Sequence, residues 1–213
     1  MPRVKEIVLA TRNQHKGAEL AALLGGLEVR IRTLADFPTA PEVKEDGVTC
    51  EANAIKKATE VARATGLTAV ADDTGLEVDA LGGRPGVYAA RYAGEQATYD
   101  DNCHKLLQEL AGVPQAKRTA RFLTVAAIAS PGGEVHIAQG TLDGLITEES
   151  RGERGFGYDP VFFVPEIGKT LAELAPEEKN RVSHRARAFV KMREILEALS
   201  SDCSVLSGKG ESL

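Results

Sequence analysis

The feature that most constrains the fold is an alternation of strand-type and helix-type segments over the first 72 residues. Short apolar runs that favour strands are separated by stretches in which leucine and alanine recur at helical spacing. The strand-type segments are 5–11, 28–33 and 67–72, and the helix-type segments are 14–24 and 53–64. Alternation of this kind is typical of α/β proteins, in which helices pack on a central sheet. The last of these strands is predicted to end at the pair Asp72-Asp73.

The rest of the chain is richer in strand-type sequence, and its segments follow one another closely enough to indicate hairpins. Strands are predicted at 119–129, 135–141 and 160–164, a helix capped by Thr98 at 98–110, and a closing helix at 184–199. The run Gly82–Gly86 is predicted to form no regular element. We therefore predict a mixed α/β fold in one domain of residues 1–200, with a second lobe from about 115–165. The small, polar segment 201–213 is predicted to be a flexible tail.

Charge and apolar patterning exclude several classes of protein. The net charge of -5 argues against a nucleic-acid binder, which is usually basic. Apolar runs fall far short of the roughly 20 residues that span a bilayer, and residues 1–5 lead into a strand without a signal-peptide core. The three scattered cysteines fit neither a disulfide framework nor a zinc site. We expect a cytoplasmic protein with no membrane or nucleic-acid partner.

Polar residues follow two of the predicted strands. TRNQHK (11–16) joins a strand to a helix and places Lys16 in the first helical turn, where backbone N–H groups attract anions. It lacks the glycines of a Walker A loop, and an ordinary turn capped by Asn13 is the alternative. Because sites in open α/β sheets form beyond the carboxyl ends of strands, we expect this loop to lie near Asp72-Asp73.

Two adjacent carboxylates after an apolar run are costly unless a cation compensates them. Magnesium takes one or two protein carboxylates together with water and phosphate, so Asp73 with an acid from the loop at 42–46 could hold it. Strand alternation turns the two aspartates to opposite faces. A solvated acidic loop is the alternative. The DTG at 73–75 also matches aspartic proteases, but such enzymes need two of these motifs, and a dehalogenase-type phosphatase would need DxD.

Two later segments complete a possible nucleotide site. GFGYDP (155–160) places Phe156 between glycines, where its ring could stack on a base or simply fill the core. The segment 177–188 concentrates basic side chains where the last helix is predicted to begin, and these suit phosphate. Because the N-terminus of a helix disfavours cations, a purely structural role for this basic cluster is less favoured.

Together these segments resemble the inosine/xanthosine triphosphate pyrophosphatase family. The matching runs are LATRNQHK (9–16), ADDTGLEVDALGGRPGVYAARYAG (71–94), GFGYDPVFF (155–163) and Lys179 with Ser183-His184-Arg185. The resemblance implies an elongated, two-lobed, mixed-sheet α/β fold and a homodimer. It also implies Mg2+-dependent hydrolysis of purine nucleoside triphosphates such as ITP, dITP and XTP to the monophosphate and pyrophosphate, by water attack at the α-phosphorus.

The resemblance also implies a role for each matching residue. Asp73 is the catalytic carboxylate, and Asp73 with Glu45 holds the metal. The residues implied to bind substrate are Thr11, Arg12, Asn13, Gln14, His15, Lys16, Thr74, Phe156, Gly157, Tyr158, Asp159, Lys179, His184 and Arg185. In this set, 11–16 and Lys179 hold phosphate and sugar, 156–159 line the base pocket, and His184-Arg185 read the base.

The chain departs from the family pattern at three positions. Thr74 replaces the usual serine and keeps the hydroxyl, whereas Cys50 and Ala52 replace a usual phenylalanine and a usual acid before Asn53. The lost acid gives more weight to Glu45 as a metal ligand. Two other functions stay open: a related-fold pyrophosphatase of the septum-inhibitor type, and a nucleotide-binding module without turnover.

Overall fold

A computed structural model describes residues 4–200, which build one eight-stranded mixed sheet with helices on both faces. The strands are β1 Glu6–Leu9, β2 Arg30–Thr33, β3 Thr68–Val78, β4 Pro85–Gly86, β5 Thr119–Ala129, β6 Val135–Ile146, β7 Phe162–Val164 and β8 Lys169–Thr170. The helices are α1 Gln14–Leu23, α2 Cys50–Thr65, α3 Tyr99–Glu109, α4 Pro176–Val182 and α5 His184–Ser200. The mixed α/β class is confirmed, and the predicted tail 201–213 lies outside the described residues.

The sheet has the order β2-β1-β3-β5-β6-β7-β8, and the short β4 pairs with β3 at one side of this path. β1 is parallel to β2 and β3, as the early alternation predicts, and the later strands are antiparallel, as the hairpins predict. Thr98 caps α3 as expected, because its hydroxyl accepts the N–H of Asp101. The prediction that Gly82–Gly86 forms no regular element is wrong for its last two residues, since Pro85 and Gly86 pair with β3.

The prediction that a strand ends at the aspartate pair is also wrong. β3 continues through Asp72 and Asp73 to Val78, paired with β5 along its length. What ends near the pair is the parallel partner: β1 last pairs with β3 at Val70 and then turns away into the loop 10–13. The two carboxylates therefore lie in mid-strand, at the point where one edge of β3 loses its neighbour.

Three apolar clusters show how the long strands divide. On the first half of β3, Ala69 and Ala71 pack under α2, whereas Val70 packs with α1 and α5 on the opposite face. The second half of β3 belongs to a third cluster, with Leu76 and residues from α3, β5, β6 and 158–174. The residues 72–74 thus lie between two separately packed halves of the sheet, where a cleft can open without disrupting either core.

A helix that the sequence analysis did not predict precedes the closing helix. α4 begins with Pro176 at its first position, and its last turn carries Lys179 and Arg181, where the helix dipole favours cations. The basic cluster is therefore divided between the end of α4 and the start of α5, and the dipole argument against it applies only to His184-Arg185. None of the helices among residues 4–200 is long and apolar enough to cross a membrane.

Candidate active site

One cleft of about 310 Å3 lies beside the middle of β3 and collects all four sequence motifs. The predicted residues that line it are Thr11, Arg12, Asn13, Lys16, Glu45, Asp73, Thr74, Phe156, Gly157, Tyr158, Asp159, Lys179, His184 and Arg185. Gln14 and His15 do not line this cleft. His15 instead borders a second cavity of about 250 Å3, which shares Phe156 and Lys179 with the first.

The two aspartates contact different groups because successive side chains of a strand point to opposite faces. Asp72 is completely buried on the α5 side, where its Oδ2 accepts the Arg185 Nε–H at 3.2 Å and lies 3.4 Å from Lys16 Nζ. Asp73 lines the cleft on the α2 side, where its Oδ2 accepts the Asn53 amide at 3.1 Å. Asp73 therefore faces the cleft, whereas Asp72 holds two of the cations that line it.

Lys57 of α2, which the sequence analysis did not single out, holds the acidic side of the cleft together. Its ammonium donates to Glu45 Oε1 at 2.8 Å and to the Asp72 carbonyl at 2.6 Å, and lies 3.7 Å from Asp73 Oδ1. We call these three oxygens the oxygen cradle. One turn earlier on the same helix face, Asn53 links Asp73 to the Gly47 N–H of the loop that carries Glu45.

The charges around the acids set their protonation. Burial alone would raise the pKa of Asp72, but the nearby Lys16, Arg185 and Lys57 outweigh it and hold that pKa well below its usual value. Burial, reinforced by the charge of Glu45, raises the pKa of Asp73. For Glu45, Lys57 and Lys16 outweigh burial and lower the pKa. Asp72 is thus a fixed anion, whereas Asp73 binds a proton more readily.

The oxygen cradle is the donor set that a hard divalent cation prefers, two carboxylates and a carbonyl. Residues 4–200 contain no group of three or more His, Cys, Asp or Glu side chains arranged to hold a metal ion. Magnesium needs no such group, since it normally keeps several waters and shares substrate phosphate oxygens. The residues present therefore fit a cation that arrives with a phosphorylated ligand.

The cleft also contains an aromatic ring beside two cations. Lys179 Nζ and the Arg185 guanidinium lie 4.8 and 5.4 Å from the centroid of the Phe156 ring. Glu19 of α1 binds both cations at 2.7 and 2.6 Å, and Asp159 Oδ2 accepts from Lys179 at 2.5 Å. Both cations are buried and carry hydrogen bonds, so they hold fixed positions from which their donors can reach a base.

His184 is held from two sides. Its Nδ1 lies 2.6 Å from Thr124 Oγ1, and its ring stacks on Phe122 with centroids 4.4 Å apart. Burial, together with the neighbouring Arg185 and Lys179, lowers the pKa of His184 well below its usual value. The imidazole is therefore neutral at pH 7. Thr124 also contacts Thr74 Oγ1 at 2.7 Å, which connects the imidazole to β3.

A polar bridge crosses the mouth of the cleft. Asn13 caps α1, since its Oδ1 accepts the N–H groups of His15 and Lys16. The prediction that Asn13 is the N-cap of this helix is therefore confirmed. The other end of its amide donates to Tyr99 Oη at 2.6 Å. The ring of Phe156 lies between His15 and Tyr99, at centroid distances of 5.5 and 5.8 Å. We call the Asn13–Tyr99 hydrogen bond the mouth bridge.

The residues that sequence reasoning missed are those that support the motif residues. Lys57, Asn53 and Glu19 lie on amphipathic helices, where a polar side chain normally indicates a solvated face. One signal was available: Asn53 and Lys57 are four residues apart, so they share a helix face with the buried alanines of α2. A polar pair on an otherwise apolar face indicates a partner on the sheet below.

The chain is similar to known proteins over nearly its whole length. A model of the Ham1 family matches residues 7–195, a range that includes every cleft residue named above. A dITP/XTP pyrophosphatase of Geobacillus kaustophilus is 52% identical over 207 residues, which cover 97% of this chain and 98% of that protein. Another, from Geobacter sulfurreducens, is 54% identical over 190 residues, covering 89% and 96%. The structure of a HAM1 protein from Coxiella burnetii has a TM-score of 0.83 and 41% identity, over 92% of this chain and 100% of that one.

Proposed function

Since the chain belongs to the Ham1 family, we propose that it is a nucleoside triphosphate pyrophosphatase acting on non-standard purine nucleotides. Its substrates are dITP, ITP and XTP, its products are the monophosphate and pyrophosphate, and its role is to clear such nucleotides from the pool. The curated relatives named above are dITP/XTP pyrophosphatases. Mg2+ as the metal, a homodimer and a cytoplasmic location belong to the same proposal.

The observation that carries the proposal is the combination of groups at one cleft. The oxygen cradle lies there with Lys16 and Lys57, together with Phe156 and two fixed cations, Lys179 and Arg185. Acids with lysines suit a metal-bound triphosphate, and an aromatic face with donors suits a purine. A site for a simple anion would need neither the acids nor the ring.

The chemical step is hydrolysis of the bond between the α- and β-phosphates. A water oxygen attacks the α-phosphorus, the phosphoanhydride oxygen leaves with pyrophosphate, and the water's proton passes to Asp73. Asp73 and Glu45 would hold a bound Mg2+, which would supply charge neutralisation and make the water more acidic. Lys16 and Lys57 are the cleft ammonium groups nearest the acids, and they offset the charge that develops on pyrophosphate.

Base selection rests on the buried donors. Hypoxanthine, xanthine and guanine have an oxygen acceptor at position 6, where adenine has an amino donor. A contact to position 6 therefore separates ITP and XTP from ATP, whereas rejection of GTP must act on the 2-amino group of guanine. The guanidinium of Arg185 can only donate, so an N–H group that Asp72, Glu19 and Thr74 leave free would pair with a 6-oxo group and stay unpaired beside the amino group of adenine. Such unpaired groups discriminate by large factors. The ring of Phe156 can stack on any purine, so it contributes affinity but does not select among the bases.

Release of pyrophosphate from a nucleotide panel tests this function. We expect kcat/KM for ITP, dITP and XTP to exceed that for ATP and GTP by roughly 100-fold or more, with Mg2+ required. Equal turnover of GTP and ITP would contradict the proposed role. Preference for nucleotides other than ITP, dITP and XTP would favour the septum-inhibitor type, and ITP binding without pyrophosphate release would favour a binding module.

The Asp73→Asn variant tests the catalytic assignment. Without a carboxylate to accept the proton, kcat for ITP should fall by about 10²–10⁴-fold. The matched control is Asp143→Asn, which removes an exposed carboxylate that pairs with Arg121 on the β5–β6 hairpin. Full activity of Asp73→Asn, with circular dichroism like that of the control, would refute the assignment.

A further inference from the structure

The Lys57 ammonium is placed where a cation would be expected. It donates to Glu45 Oε1 and to the Asp72 carbonyl, and lies 3.7 Å from Asp73 Oδ1, while its side chain is only 10% exposed. Two of these oxygens belong to carboxylates, which repel each other when no cation lies between them. The ammonium therefore neutralises the acids that the proposed function assigns to the metal.

The rest of α2 fixes this arrangement in place. Asn53 donates to Asp73 Oδ2 at 3.1 Å and accepts the Gly47 N–H at 2.8 Å, so the acidic loop and β3 are both tied to one helix face. A side chain at Gly47 would collide with Asn53, which shows how closely the loop is packed there. The oxygen cradle is thus assembled by protein contacts alone.

A divalent cation would seek the same oxygens as the ammonium. Carboxylate and carbonyl oxygens are its preferred ligands, and two cations at one set of oxygens repel each other. The lysine must therefore move before the cradle can accept a metal ion. The phosphates of a nucleotide would give the displaced ammonium a new anionic partner.

We propose that Lys57 is a tethered counter-ion, which holds the oxygen cradle in the metal-free protein and competes with the divalent cation for it. The ammonium leaves the cradle for the phosphates when metal and nucleotide arrive together, so the ligand that binds well is the metal–nucleotide complex rather than the free ion. This inference rests on the proposed function, because it assumes that a metal ion and a triphosphate share the cleft.

Binding of Mn2+ to the nucleotide-free protein, followed by calorimetry, tests the proposal. Lys57→Met vacates the cradle and should bind Mn2+ at least about tenfold more tightly than wild type, since the competing charge is gone. Lys56→Met is the matched control, because its neighbouring ammonium pairs with Asp46 at the surface, and it should bind Mn2+ as wild type does. A non-hydrolysable ITP analogue should tighten Mn2+ binding strongly in wild type and at least tenfold less in Lys57→Met.

Lys57→Gln serves if the methionine variant does not fold, because its amide can still donate to Glu45 while carrying no charge. Mn2+ affinity that is unchanged or weaker in a folded neutral variant overturns the proposal. Pyrophosphate release from ITP by the wild-type protein distinguishes failure of the counter-ion role from failure of the proposed function. If wild type hydrolyses ITP but the neutral variants gain no affinity for Mn2+, the counter-ion role fails and the proposed function stands.

Discussion

The sheet and a helix approach each other closely at Gly140 of β6, under the first turns of α5. A methyl group added there would fall inside van der Waals distance of the His184 carbonyl and the Ala188 amide, and 2.9 Å from the carbonyl carbon of Arg187. All three are backbone atoms, so no side-chain rotation can relieve the contact. Gly140→Ala must therefore displace the start of α5, which carries His184 and Arg185 into the cleft.

The size of the effect follows from these contacts. Carbon atoms pack at about 3.5–4.0 Å, so α5 must move by roughly 1 Å to accept the methyl group. Overpacking of a well-filled core costs about 1–3 kcal/mol, and rigid backbone neighbours place this change at the upper end. A displacement of about 1 Å in a positioning element can reduce turnover about 100-fold. We expect the free energy of unfolding to decrease by about 3 kcal/mol. We also expect kcat/KM for ITP to fall by about 100-fold.

Urea unfolding and pyrophosphate release measure the two effects. Gly132→Ala is the control, because Gly132 lies in the β5–β6 turn and a methyl group there meets only Ser130 Oγ at an ordinary 3.7 Å. That variant should match wild type in both assays. If Gly140→Ala unfolds at the same urea concentration as the control and keeps its kcat/KM, then α5 does not depend on this contact and the reasoning fails.

Two further predictions concern single hydrogen-bonded groups. Tyr99→Phe removes the mouth bridge but keeps the aromatic ring, so the cleft should open more easily. KM for ITP should then fall roughly two- to tenfold, with kcat unchanged. A raised KM would contradict this and would show that the hydrogen bond forms in the complex instead. The second prediction concerns His184, whose imidazole stays neutral in the folded protein because burial lowers its pKa. In the unfolded chain the same imidazole takes up a proton below about pH 6.5. The free energy of unfolding should therefore decrease as the pH falls below that value, by up to about 1.4 kcal/mol per pH unit. Urea midpoints at pH 5 to 7.5 should show a weaker decline in His184→Asn, and parallel declines would refute the assignment.

Local periodicity was enough to place most of the elements. The apolar runs and leucine spacing placed α1, β5 and α5 to within one residue, because each pattern reports which face the element buries, whereas β1 is shorter than the predicted 5–11. α4 was missed although its start carries Pro176 and two glutamates in the first turn, both ordinary signals of a helix N-terminus. The whole basic cluster was assigned to the start of one helix, so α4 was not separated from α5.

The pair Asp72-Asp73 shows where sequence reasoning stops. Aspartate is disfavoured within strands, so a run that meets two of them reads as a strand that ends. β3 continues because charged groups from other elements compensate the buried carboxylates: Lys16 and Arg185 on one face, Lys57 on the other. These partners are separated from the pair by up to 113 residues, and no local pattern connects them.

The departure of β1 explains why this mid-strand position can hold a site at all. Once β1 leaves β3 after Val70, the chain that follows it turns over the open edge and starts α1, which delivers Lys16 to Asp72. Had β1 run on beside β3, a paired strand would occupy that edge and α1 would start farther away. The alternating strands and helices at the start of the chain therefore fix the location of the cleft and bring Lys16 and Asp73 to it, while α4 and α5 add Lys179, His184 and Arg185. This division of roles predicts that changes in β1 will affect stability, and that changes in the helices will affect binding of metal and nucleotide.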